Sequence, residues 1–303
     1  MGSEWKKSPE RGSPLLVKLI LWVALHIGRT PTRVFLYPIT LYFLLAVSKA
    51  RRASFQFFTL VLQHPPSLLT VARHFHCFAS TILDRVYFLC GRFDLFKTKI
   101  ENLDLLLNTL AEGKGCILLG SHLGSFEVLR AVALKEKNIP LKVFMRVEQN
   151  ATITKLLDTL NPDIAKTVIP LGTFSAGLAA HEFLNTGGML GILGDRVSND
   201  DKTVECQFMG KPTLFPTGPL LMASILNVPV VLIFGLYRGG NRYDVHFELL
   251  TESVDVSRKT RDEDIQRWVQ LYAKRLEHYT RMAPYNWFNY YDYWNTNKVN
   301  ETP

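Results

Sequence analysis

Gly115 to Ala131 reads GCILLGSHLGSFEVLRA, and its three parts decide the fold. Cys116 to Leu119 is a short apolar run of buried-strand type, Gly120 and Gly124 punctuate a loop, and from Phe126 the apolar residues return at helical spacing. Strand, loop and helix in that order form the repeating unit of an α/β protein, so the expected class is α/β, with a mixed, largely parallel sheet flanked by helices. His122 then lies in a strand-to-helix loop. In open α/β sheets such loops sit at the carboxyl ends of strands, where ligands bind.

Outward from this stretch the alternation continues. Leu141 to Met145, Thr167 to Ile169, Met189 to Leu193 and Val228 to Phe234 are further short apolar runs that predict strands, with helices in the gaps. Arg242 to Leu249 alternates like an added, more exposed strand, and Arg261 to Met282 has the charged amphipathic pattern of a closing helix. Ala53 to Phe96 reads as amphipathic helix broken at Pro65-Pro66. Pro284 to Trp294, PYNWFNYYDYW, is the densest aromatic stretch; it fits a segment packed on the body, or an aromatic belt at an apolar-wet boundary.

Charge is concentrated at the front. Residues 1–55 carry nine Lys or Arg against two acids, +7 of the net +8, while the rest of the chain is nearly balanced. Basic residues interleaved with apolar runs fit an anionic membrane surface rather than nucleic acid. The runs are Leu15 to Ile27 and Val34 to Val47, interrupted at Gly28 to Pro31. A helix of fourteen residues rises about 21 Å, short of the ~30 Å hydrocarbon core, so the expectation is a membrane-inserted hairpin or broken helix rather than a simple span. The predicted organisation is a polar tail at 1–14, a membrane-associated helical segment at 15–52, an α/β domain at 53–294 and a second tail at 295–303.

The four cysteines, Cys77, Cys90, Cys116 and Cys206, form no Cys-x-x-Cys pair and sit among apolar neighbours, as reduced thiols of a body facing the cytoplasm would. His74, His76 and Cys77 do not read as a metal site, because residues two apart point to different helix faces. No dinucleotide or phosphate-loop glycine pattern occurs, and neither metal nor cofactor is expected.

His122 and Glu127 make His-x-x-x-x-Glu, a spacing that would set a carboxylate beside an imidazole, fix its tautomer and raise its basicity. A helix-capping pair is the plainer reading of the same spacing. The stretch resembles the active-site motif of the lysophospholipid acyltransferase superfamily, and specifically the lipid A late-acyltransferase family. Arg146 to Asn150 (RVEQN), Gly194 to Arg196 (GDR), Phe208 to Pro219 (FMGKPTLFPTGP) and Leu221 to Val231 match in order, over about Leu15 to Trp294. In that family the segment comparable to Pro284–Trp294 ends in basic residues. Here aromatics and Asp292 occupy it, and in this the chain resembles relatives found with aryl polyene lipid assembly.

The resemblance implies a bacterial inner-membrane enzyme with its catalytic body on the cytoplasmic side. Such an enzyme moves a fatty acyl group from an acyl thioester, on acyl carrier protein or coenzyme A, to a hydroxyl of a membrane lipid or glycolipid. His122 would be the general base and Glu127 its orienting carboxylate; Arg146, Asp195, Arg196 and Gly218, the last within PTGP, would contact substrate. A non-enzymatic membrane scaffold or lipid-binding protein is the alternative. A serine hydrolase fits less well, since Gly172 to Gly177 (GTFSAG) misses Gly-x-Ser-x-Gly by one residue.

Overall fold

The computed structural model describes residues 14–129, 139–145, 166–171, 174–198 and 200–296. The front of the chain is helical: α1 (Pro14–Ile27), α2 (Arg29–Thr32), α3 (Leu36–Ala46), α4 (Ser48–Leu62) and α5 (Leu68–Leu89). Pro65 and Pro66 cannot extend α4. Ser67 then caps α5, its hydroxyl accepting from the Thr70 amide at 3.2 Å.

The body is built on β1 (Lys97–Glu101), β2 (Cys116–Gly120), β3 (Leu141–Met145), β4 (Val168–Pro170), β5 (Met189–Leu193), β8 (Val230–Tyr237) and β9 (Arg242–Thr251). These form one sheet in the order β1-β9-β8-β2-β5-β3-β4, in which only β8 and β9 pair antiparallel. A hairpin of β6 (Thr203–Phe208) and β7 (Lys211–Pro216) stands apart as a two-stranded sheet. The largely parallel sheet and the strands near 116, 141, 168, 189, 230 and 242 agree with the sequence reading. Polar β1, KTKIE, and the β6–β7 hairpin were not foreseen.

Helices cover both faces. Alternate residues of β2 divide between two cores, Ile117 and Leu119 on one side, Cys116 and Leu118 on the other. The first core takes in α4, α7 (Phe174–Asn185), α8 (Gly218–Leu226) and α9 (Arg261–Met282); the second takes in α5 and α6 (Leu103–Ala111). Every residue of β8 is buried, as expected for a central strand covered on both faces. The four cysteines are free thiols, all buried except the half-buried Cys90.

The front helices are fastened to this body. Asp84 of α5, fully buried, accepts from Arg29 Nε at 2.7 Å and Nη2 at 2.9 Å, and from the Tyr243 hydroxyl at 2.8 Å. Tyr87 donates to the Ala24 carbonyl at 2.7 Å. α4 runs across residue 52, where the sequence reading divided the chain.

Beyond β2 the backbone turns at Gly124, φ +75°, and there meets β8. The Ser125 amide donates to the Gly235 carbonyl at 2.8 Å, and a Cβ built on Gly124 would overlap that same carbonyl. Backbone strain at such a site costs about 1–3 kcal/mol before the overlap is counted. Gly124→Ala is therefore expected to lower the thermal unfolding temperature markedly. Gly235→Ala, whose Cβ would strike the Ser125 carbonyl, should do the same. Unchanged melting of both variants would contradict the close approach.

Candidate active site

Adjacent parallel strands bring two side chains together. β2 and β5 pair in register with Gly120 beside Leu193, so the residues two beyond each strand end, His122 and Asp195, face one another. His122 Nδ1 donates to Asp195 Oδ1 at 2.8 Å, and the His122 amide donates to the same oxygen at 3.1 Å. The other carboxylate oxygen accepts from Asn289 Nδ2 at 3.1 Å, and the Asp195 carbonyl accepts from the Tyr293 hydroxyl at 2.8 Å. Asp195 is wholly buried, while the imidazole of His122 stays 30% exposed. Among the described residues Nε2 has no hydrogen-bond partner.

This arrangement sets the charges. Burial opposes the Asp195 carboxylate, but His122, Arg196 and Asn289 together outweigh it and pull its pKa down to about 2. Burial, with the Arg196 guanidinium next, holds the His122 pKa below the ordinary imidazole value against the pull of Asp195. The imidazole is thus neutral at pH 7, with its Nδ1 proton held by Asp195 and an unprotonated Nε2 on the accessible side.

Glu127 is placed elsewhere. Its carboxylate pairs with Arg85 of α5 at 2.6 Å. The sequence reading gave the imidazole Glu127 as its partner; the structure gives it Asp195, because the turn at Gly124 carries Glu127 toward α5 while the parallel register carries Asp195 to Nδ1. Arg196 donates to Asn289 Oδ1 at 2.7 Å and to the Phe288 carbonyl at 2.9 Å, with its guanidinium 5.8 Å from the Tyr291 ring centroid. Gly218 opens α8, next to Thr217, which bonds the Lys202 carbonyl rather than the His122–Asp195 network. Arg146 and the rest of RVEQN lie outside the described residues.

The aromatic stretch after α9 completes the site from behind. Leu123 bridges Trp287, the Phe288 amide donates to the His122 carbonyl at 2.9 Å, and the Gly124 amide donates to the Asn286 carbonyl at 2.8 Å. Asn286 in turn grips Tyr237 at both backbone groups, 2.7 and 3.1 Å. Trp287, Tyr293 and Trp294 are buried, so the stretch packs on the body. Asn286 and Asn289 were missed as site residues. The available signal was two amides set within an aromatic run, a position where a buried polar group must have partners.

A protein-family model described as bacterial lipid A biosynthesis acyltransferase matches residues 90–296. The chain belongs to that family. It is accordingly an acyltransferase acting on lipid, which sets aside the scaffold and serine hydrolase alternatives. Comparison with curated proteins finds no match. The matched region of the acyltransferase runs from the end of α5 to α9 and the aromatic segment, and includes His122, Glu127, Asp195, Arg196 and Asn289.

One histidine behind the site reports its integrity. His74 of α5 is fully buried: Nε2 donates to the Trp287 carbonyl at 2.6 Å and Nδ1 accepts from the Ser54 hydroxyl at 2.9 Å. Burial lowers its pKa to about 3. An unfolded histidine titrates near 6.5, so between about pH 6.5 and 3 the unfolded chain binds the extra proton. Stability should therefore fall with acidification over that window, by up to about 1.4 kcal/mol per pH unit for this group. Urea unfolding at pH 7, 6, 5 and 4 measures the slope. His74→Gln, which has no titrating group, should flatten it, and an equal slope in the variant would place the proton uptake elsewhere.

Proposed function

We propose that the acyltransferase moves a fatty acyl group from an acyl thioester to a lipid or glycolipid hydroxyl, with His122 as general base and Asp195 as the carboxylate that orients it. The observation carrying this reading is the buried Asp195 on Nδ1 of a part-exposed, neutral imidazole. Nε2 takes the acceptor's hydroxyl proton as its oxygen attacks the thioester carbonyl; the C–O bond forms, the C–S bond breaks, and the proton passes to the departing thiolate. Asp195 holds the tautomer that leaves Nε2 basic and stabilises the imidazolium formed on the way. Glu127, paired with Arg85, ties the end of the loop to α5. Acyl carrier protein is the proposed donor carrier, with coenzyme A the second option.

The test is acyl transfer by well-folded variants. His122→Ala should lower turnover about 10²–10⁴-fold. Asp195→Asn keeps the shape but loses the charge, and should depress kcat strongly with little change in KM. Glu127→Gln should cost less than Asp195→Asn. The reverse ranking would return the orienting role to Glu127, and full activity in His122→Ala would remove the mechanism.

The proposed location is the inner membrane, with the body on the cytoplasmic side. Among the described residues no single helix is long and apolar enough to cross a bilayer; residues 29–46 and 48–62 form a pair bent by 91°. Exposed Trp22, Leu25, Val34, Phe35 and Leu45 on the front helices support insertion into one leaflet, with Lys49, Arg51 and Arg52 beside them. Trp22→Glu with Leu45→Glu should shift the protein from membrane to soluble fractions, whereas high salt should not release the unaltered chain, because apolar insertion is not screened. Release by salt alone would point to charge attraction instead. The proposed acceptor is other than a lipid A precursor, as for the relatives found with aryl polyene lipid assembly. Transfer to lipid A precursor and to no other glycolipid would reverse that choice.

A further inference from the structure

A groove of about 830 Å³ lies between α3, α5, the turn after β8 and residues 282–286, and none of His122, Glu127, Asp195 or Arg196 lines it. Its volume falls within the range of ligand sites. Leu41, Leu44, Leu69 and Met282 give it an apolar wall, Arg33, Arg73 and Arg238 give it charge, and no aspartate or glutamate lines it. We infer that this groove binds one anionic phospholipid, its acyl chain along α3 and α5 and its phosphate on Arg33 and Arg73.

Charge complementarity is the first ground. Among the described residues Arg33 bonds neutral oxygens only, the Tyr237 hydroxyl at 2.9 Å and the Gly240 carbonyl at 3.2 Å. Arg73 is exposed and has no ion pair among the described residues. Arg238 is balanced by Asp244 at 2.7 Å and Arg33 lies in the field of buried Asp84, which Arg29 already pairs, so the least compensated charge is that of Arg73. Two guanidiniums in one groove whose lining holds no carboxylate suit a phosphate diester, which accepts in the planar geometry arginine offers.

The second ground is continuity with an apolar surface. Tyr37, Leu41 and Leu69 line the groove and are each more than half exposed, and they adjoin the exposed face formed by Val34, Phe35, Tyr42, Leu45 and Leu68. An amphiphile with one charged end and an apolar tail matches both parts of the groove. A free anion would use only the arginines, and a neutral lipid only the wall.

His122 and Asp195 do not line the groove, although Asn286, which supports the turn beside them, does, and binding can be measured without an acyl donor. The full chain in a neutral detergent is titrated with dimyristoyl phosphatidylglycerol or dimyristoyl phosphatidylcholine, and adducts are counted by native mass spectrometry. One phosphatidylglycerol should bind saturably, at least tenfold more tightly than phosphatidylcholine. Arg73→Gln should weaken phosphatidylglycerol about fivefold, the equivalent of about 1 kcal/mol per surface cation, and leave phosphatidylcholine unchanged. Leu41→Gln should weaken both. Among the described residues Arg73 makes no side-chain hydrogen bond or ion pair, so its variant serves even where Arg33 variants unfold. His122→Ala should bind the lipid like the unaltered chain, so loss of acyl transfer and loss of lipid binding are distinguishable. Equal affinity for the two lipids, an unaffected Arg73→Gln, or displacement by inorganic phosphate at equal concentration would each overturn the inference.

Discussion

A buried carboxylate with several donors holds this molecule's working parts in one arrangement. Asp195 has lost its water entirely, and desolvating a charge is tolerable only when hydrogen bonds replace hydration. The three replacements come from two places far apart in the chain: the imidazole and amide of His122 after β2, and the amide of Asn289 after α9. Tyr272, reaching from α9 to the Gly120 carbonyl at 2.8 Å, steadies the strand end from the other side. Moving any of these groups would leave a dry negative charge short of partners. The position of His122 is therefore set by electrostatic necessity as much as by the strand that leads to it.

A second buried carboxylate does similar work at the front. Asp84 accepts both arms of Arg29 and the Tyr243 hydroxyl, so α2, α5 and β9 meet on one side chain. Arg29 lies in the break between the two apolar runs of the front segment; in the structure its guanidinium faces the protein and stacks 5.0 Å from the Phe96 ring centroid. The front helices are joined to the body by a desolvated ion pair while their outer side chains remain apolar and exposed. Removing one partner of such a pair is more damaging than replacing both, since the survivor is buried unpaired.

Much of this was legible in the sequence because it depends on local pattern. The strands came from short apolar runs, and the loop around His122 from two glycines between a strand and a helix. Asp195 was given a substrate contact, through the family resemblance, and not the role of partner to His122. What was illegible depends on register and on distance along the chain. Spacing alone could not show that Glu127 turns to Arg85, because the deciding event is the left-handed turn at Gly124 beside Gly235. Asn289 lies 94 residues from Asp195, and nothing in single-sequence spacing connects them. β1 escaped notice because KTKIE, at the sheet edge, need not be apolar, and its pairing with β9 shows only in three dimensions.

The threading of residues 286–289 against the His122 loop bears on how the protein is made. A chain leaving the ribosome exposes β2 and its loop early, yet the groups that fix them arrive late; the contact between His74 and Trp287 spans 213 residues. Closing such long loops is slow compared with local folding. Until that segment docks, the Gly124 amide, the His122 carbonyl and the apolar surface destined for Trp287 are open, the kind of surface chaperones and proteases recognise. Synthesis interrupted anywhere before that point yields a chain without an assembled site. That segment thus acts as an assembly check, tying the final placement of His122 to the arrival of residues 286–289.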